Sequence, residues 1–207
     1  MHELAGVFFD RKGLAWIAVT AFFSVLVLVP FNQVPLEIAG ITLRPEAVLP
    51  AVCGILWGPA AAWGLGFGNI AGDYFGGSWS FMSIFGFIIN VLYPYLAYRL
   101  WHAMMRSHAM RLDLYGIGSF WATTLVTTFA SMLLLAACGT IFFMRPFLSK
   151  FTGYFGNNIL WAMLAGPVLL ALIFQPAIRN RLVYGREWDL RFAGKNHTSD
   201  RKELQAL

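Results

Sequence analysis

The chain has 207 residues, 58% hydrophobic and 12% charged, with a formal net charge of +5 and a mean hydropathy of +0.64. Soluble domains carry about 25% charged residues, so the composition excludes an ordinary soluble globule and indicates an integral membrane protein. The length leaves room for about six helical spans of roughly 20 residues in one domain, and membrane topology explains the positive charge better than nucleic acid does.

The first apolar segment, Leu14–Val29, is longer than a signal core needs, and no A-x-A site follows it. It is therefore expected to remain as a span. The loop Pro30–Pro50 (PFNQVPLEIAGITLRPEAVLP) contains four prolines and alternates apolar with polar residues. It is expected to be ordered and to lie over the bundle as a lid. The second segment, Ala47–Trp57, is short, and it meets the third, Ala60–Gly76, at Gly58-Pro59, a turn signal. These two read either as two short spans or as one helical hairpin that does not fully cross.

Small residues recur every four positions through the third segment: Ala60, Gly64, Gly68, Gly72 and Gly76. Glycine in a helix interior costs stability, and in a membrane a small-xxx-small face repays that cost by close helix packing. Asn69 and Asp73 follow Gly68 and Gly72 directly. An intramembrane acid marks a functional site, whereas an acid at the water interface merely ends a span, and both readings of Asp73 stay open.

After the aromatic loop Asp73–Ser80 (DYFGGSWS) comes the fourth segment, Phe81–Leu100, with Asn90 near its middle. The stretch Arg99–Asp113 is basic and roughly amphipathic, suited to a cytoplasmic surface of anionic lipid. His102 and His108 lie six apart and share no helix face, so they read as solvated residues rather than metal ligands. The fifth segment is Ile117–Ile141. A further aromatic outer loop, Met144–Asn157, carries Arg145 and Lys150, and the sixth segment is Asn158–Ile178. Residues 1–180 thus form a six-span membrane domain, and the polar stretch 181–207 is expected to be a loosely ordered cytoplasmic tail.

Six spans with both ends cytoplasmic leave only Arg44, Arg145 and Lys150 outside, of 15 Lys and Arg residues. The positive-inside rule favours this arrangement, which predicts an all-α six-helix bundle in the cytoplasmic (inner) membrane. Cys53 and Cys138 lie in apolar runs with no CxxC pair, and read as packing residues.

Three ordered outer loops over a bundle describe an outward-opening pocket for a small ligand. The candidate ligand-binding residues are Asn69, Asp73, Trp79, Asn90, Asn158 and Trp161. An Asn at the depth of Asn90 needs a partner, in another helix or in a ligand. Trp79, Tyr74, Tyr154 and Trp161 suit either stacking on a flat ligand or the interfacial aromatic belt. No HExxH, G-x-S-x-G, P-loop or metal-spaced His/Cys set occurs. No catalytic residue, metal or cofactor is therefore assigned.

The stretch Arg44–Trp101 contains Leu49-Pro50, Gly54-Ile55-Leu56-Trp57-Gly58-Pro59, Gly68-Asn69-Ile70-Ala71-Gly72-Asp73 and Phe85-Gly86-Phe87-Ile88-Ile89-Asn90. It resembles the substrate-binding S components of energy-coupling factor transporters. The resemblance implies six spans with both ends inside, a structured first outer loop over the ligand, and a vitamin, vitamin precursor or metal ion as substrate. It also implies a scaffold subunit with ATPases as partner. Two departures stand out. The family's first helix often docks on that scaffold through small residues spaced by four, and here Ala15, Ala18 and Ala21 are spaced by three, as in a member that works alone. Only His2 represents a His-rich N-terminus, which argues against nickel or cobalt.

The expected function is therefore binding and uptake of a vitamin-like small molecule entering from the outer side, with membrane lipid as the other contact. An alternative is a non-transporting accessory subunit whose glycine ladder docks a foreign helix. A third is a membrane enzyme using Glu37, Glu46 or Asp73. A cavity beneath the outer loops separates the first reading from the second.

Overall fold

A computed structural model describes residues 2–34, 36–38, 41–105, 113–179 and 182–184. His108, most of the basic stretch after Trp101 and the tail beyond residue 184 lie outside them. The described residues form six helices: α1 (His2–Gly6), α2 (Arg11–Gln33), α3 (Leu49–Phe75), α4 (Met82–Met105), α5 (Leu114–Phe143) and α6 (Phe147–Arg179). All but the short α1 are long and apolar enough to cross a membrane. A short hairpin, β1 (Leu36–Ile38) with β2 (Ile41–Leu43), lies between α2 and α3. Its antiparallel register pairs Leu36 with Leu43 and Ile38 with Ile41. The apolar–polar alternation of this loop has the period of a strand.

The central element is α3. In its most apolar stretch 89% of residues are buried, against 22% in α2. It is not one straight rod. Gly58 adopts φ 48° and ψ −125°, a conformation open to glycine and strained for other residues. Contacts with α4 show the consequence. Gly54 sits against Pro94 and Gly58 against Tyr98, so residues 49–57 run parallel to α4. Gly66 then meets Phe87 and Val91, and Gly86 meets Asn69, so residues 59–75 run antiparallel to it. The chain doubles back at Gly58-Pro59, and α3 is a helical hairpin. The first limb, at ~1.5 Å per residue, is about 15 Å long, half the thickness of a bilayer core of about 30 Å.

The glycine ladder faces α2. Added Cβ atoms at Gly68 and Gly72 would lie 2.5 Å from Ser24 and Leu28, and one at Gly76 2.6 Å from Asn32. One at Gly64 would overlap Thr20. Ala60 is fully buried with Val7, Ile17 and Tyr98. The two helices therefore run parallel and nearly backbone to backbone. Ala15 and Ala18 lie on the opposite, exposed face of α2, near Phe22 and Leu26.

The far half of the bundle is made by α5 and α6. Asp113 caps α5 by accepting a hydrogen bond from Gly116 N–H at 2.9 Å. This helix buries Ser119, Thr123, Thr124, Thr127, Thr128 and Ser131, and the Thr128 and Tyr93 hydroxyls hydrogen-bond at 2.6 Å. Met144 ends α5 in the left-handed region, at φ 53°.

Two sequence expectations need correction here. The segment Met144–Asn157, expected as a loop, is helical from Phe147 onward. Phe147, Phe151 and Phe155 stand one turn apart and stack at centroid distances of 6.0 and 5.6 Å, a helical spacing that outweighs Gly153 and Gly156. Residues 182–184 are not a loose tail. Tyr184 is buried, donates its N–H to Leu56 O at 2.8 Å and packs edge-on against Tyr98.

Leu4 O accepts from Trp63 Nε1 at 2.9 Å, and Glu3 pairs with Arg99 at 3.0 Å. The first described residues thus share one end of the bundle with Tyr184 and the Gly58 turn. The α2–α3 lid, the α3–α4 loop and the α5–α6 turn lie at the other end.

Candidate functional site

At the loop end of the bundle lies a cavity of about 430 Å³. Every long helix contributes to its lining: Ser24 and Leu28 from α2, Asn69 and Asp73 from α3, Gly86 and Asn90 from α4, Met132 and Leu135 from α5, and Tyr154 and Asn158 from α6. The lid supplies Arg44, Glu46 and Ala47, and the α5–α6 turn supplies Arg145. Arg44 N–H donates to Asn157 Oδ1 at 2.8 Å, which ties the lid to α6 across 113 residues of chain. One turn from Asn90 and Met132 along their helices, the buried Tyr93 and Thr128 hydroxyls join α4 to α5.

One wall is a ladder of amides ending in an acid. Asn90 Nδ2 donates to Asn69 Oδ1 at 2.6 Å and to Gly86 O at 3.0 Å. Asn69 Nδ2 donates to Asp73 Oδ2 at 3.2 Å. Asp73 Oδ1 accepts from Asn32 Nδ2 at 3.2 Å and from Ser78 Oγ at 3.1 Å. The sequence spacing explains this wall. Asn69 and Asp73 are one turn apart on the second limb of α3, and the close approach of Gly86 to Asn69 lets α4 bring Asn90 within reach. A carboxylate accepting three donors is held as an acceptor, and the chain of amides hands its polarity inward.

The opposite wall is basic. Arg145 sits at the head of α6 with its guanidinium 5.8 Å from the Phe143 ring centroid, and Lys150 lies in the first turns of that helix. Asn158 donates to Tyr154 O at 2.9 Å and to Met132 Sδ at 3.4 Å. Glu46, at the head of the first α3 limb, has a buried Oε2 with no hydrogen-bond partner among the described residues.

Of the six candidate residues, the fold brings four to this cavity: Asn69, Asp73, Asn90 and Asn158. Trp79 does not line it. It sits in the α3–α4 loop, 49% exposed. Trp161 lies one turn beyond Asn158 and packs into the apolar core, with a buried Nε1 that has no partner among the described residues. Tyr74 is exposed, while Tyr154 does line the cavity. Arg44, Glu46, Arg145, Lys150 and Asn157 were absent from the candidate set, although their signal was present: they are the charged and amide residues of the outer segments.

His102 packs edge-on against Tyr98 at 4.6 Å, at the far end from the cavity. Among the described residues no cluster of three His, Cys, Asp or Glu side chains could hold a metal ion. What the site offers is a partly open cavity with an acid–amide wall and a basic wall, suited to holding a small polar molecule. No family model, curated protein or solved structure matches the chain.

Proposed function

We propose that this chain is a membrane protein that binds a vitamin-like small molecule for uptake, in the manner of the energy-coupling factor S components whose motifs it resembles. The observation that carries the reading is the cavity of about 430 Å³, lined from every long helix and by Arg44, Glu46 and Ala47 of the segment before α3. Ligand sites are commonly about 300–1,000 Å³, and the lining of this one is more polar than apolar, which suits a polar ligand. Asn69, Asp73, Asn90 and Asn158 are the ligand-facing residues in this reading. The cavity end faces outward and the Gly58 end faces the cytoplasm, as the charge distribution favours. Delivery to the cytoplasmic side then requires reorientation of the bundle or a partner scaffold with ATPases.

The accessory-subunit alternative loses its main support. The glycine ladder proposed to dock a foreign helix is covered by α2 of the same chain. The test is to purify the protein in mild detergent and identify co-purified small molecules by mass spectrometry, beside an Asn158→Leu variant. A compound retained by the wild type and depleted in the variant supports binding. Equal recovery from both, or no compound that raises the wild-type melting temperature, ends the reading.

A further inference from the structure

We infer that the molecule taken by this cavity is bipolar, with an oxyanion at one end and a basic, protonated nitrogen at the other. This rests on the binding role proposed above and goes on to its substrate class.

Five acidic or basic side chains line the cavity: Arg44, Glu46, Asp73, Arg145 and Lys150. None of them pairs with another. The ion pair formed among the described residues is Glu3–Arg99, at the opposite end of the bundle. Polar groups drawn away from water are costly unless paired or hydrogen-bonded; Asp73 is already hydrogen-bonded and Arg44 lies in the field of Glu46, so the groups left for an occupant to meet are the buried Glu46 Oε2, Arg145 and Lys150.

Their arrangement is polarised. Both acids hang from the two outer ends of the α3 hairpin, with Arg44 beside Glu46, and the other two basic groups, Arg145 and Lys150, stand at the head of α6. There the free amides of a 33-residue helix add positive potential. The acidic pole also has an acceptor to give. Asp73 is already engaged by three donors, but Glu46 Oε2 is buried and accepts from no described residue. A purely anionic molecule would meet the Asp73 carboxylate and leave the buried Glu46 Oε2 without a donor, and a purely cationic one would meet three basic groups. A molecule with an oxyanion toward Arg145 and Lys150 and donors toward Glu46 satisfies both poles.

The test uses a low-molecular-mass ultrafiltrate of yeast extract as probe. It is split on a strong-acid resin at acidic pH and a strong-base resin at alkaline pH, so that bipolar compounds are those retained by both. Each fraction is added to purified protein and the melting temperature read. We expect stabilisation from the doubly retained fraction. Stabilisation confined to compounds retained by one resin, or by neither, overturns the bipolar inference while leaving the binding role standing. No stabilisation by any fraction or by the whole ultrafiltrate overturns the binding role itself.

Phosphatase treatment of the active fraction then separates the oxyanions: loss of stabilisation supports a bipolar phosphate ester, and persistence a bipolar carboxylate. The double variant Arg145→Gln, Lys150→Gln is expected to need at least roughly tenfold more of the fraction for half its effect, since a charge-assisted pair is worth more than about 1.4 kcal/mol. Lys150→Gln alone serves should the double variant fold poorly. An unchanged half-effect concentration in a folded variant overturns the assignment of the basic pole.

Discussion

Asn90 and Asn158 line the same cavity but hold different places in the structure. The Asn90 amide supports Asn69, whereas Asn158 bonds the carbonyl of its own helix one turn back and a methionine sulfur. Removing one partner of a buried hydrogen bond costs about 1–3 kcal/mol. Asn90→Leu should therefore lower the melting temperature and also weaken binding of the co-purified compound by roughly 5- to 150-fold. Asn158→Leu should weaken binding over the same range with a smaller loss of stability. Calorimetric titration beside thermal unfolding distinguishes the two, and unchanged affinity in both folded variants would remove them from the binding surface. The amides were legible in the sequence because a polar group at membrane depth demands a partner. Arg145, Lys150 and Glu46 were legible only as charges of the outer segments, because a charge near a span end looks the same whether it points to water or into a cavity. Trp79 and Trp161 illustrate the converse: an aromatic residue near a span end carries no direction.

At the level of the elements, the glycine ladder was legible as a packing face, but its partner was not. Spacing identifies a smooth surface without saying which helix lies on it. That partner is α2, through Ser24 and Leu28 rather than through Ala15 and Ala18. Gly68→Leu should cost about 1–3 kcal/mol by overpacking. An unchanged melting temperature in detergent would show that the α2–α3 contact is looser than described. Gly58→Ala tests the hairpin. The residue holds φ 48°, and an added Cβ would also press on Tyr98 and Tyr184, at 3.0 and 2.9 Å. We expect a loss of about 1–3 kcal/mol, larger than for an exposed helical site such as Gly118, where an added Cβ meets nothing within 4 Å. Equal effects at the two positions would argue against a sharp reversal. The turn itself was readable from Gly-Pro, and hairpin and paired spans could not be told apart because both bury the same apolar pattern. The start of α6 was missed for a different reason: glycine and basic residues suggested a loop, while the four-residue spacing of its phenylalanines carried the helix.

For the whole molecule, the described residues near both chain ends lie at the end of the bundle away from the cavity. Reporter fusions in the α3–α4 loop and after residue 184 should report opposite sides of the membrane, with the latter cytoplasmic. Reports from the same side would contradict the reversal within α3 together with the orientation. The doubling back of α3 also has a consequence for the order of assembly. Glu46 and Asp73 are joined by a local fold-back, and the amide wall is complete once the chain reaches Asn90. The basic wall begins at Arg145, and its tie to the lid closes a loop of 113 residues. Closing a longer loop costs more chain entropy, and contacts distant in sequence form late. The acidic pole is therefore one that neighbouring chain can build, whereas the basic one needs a long-range closure.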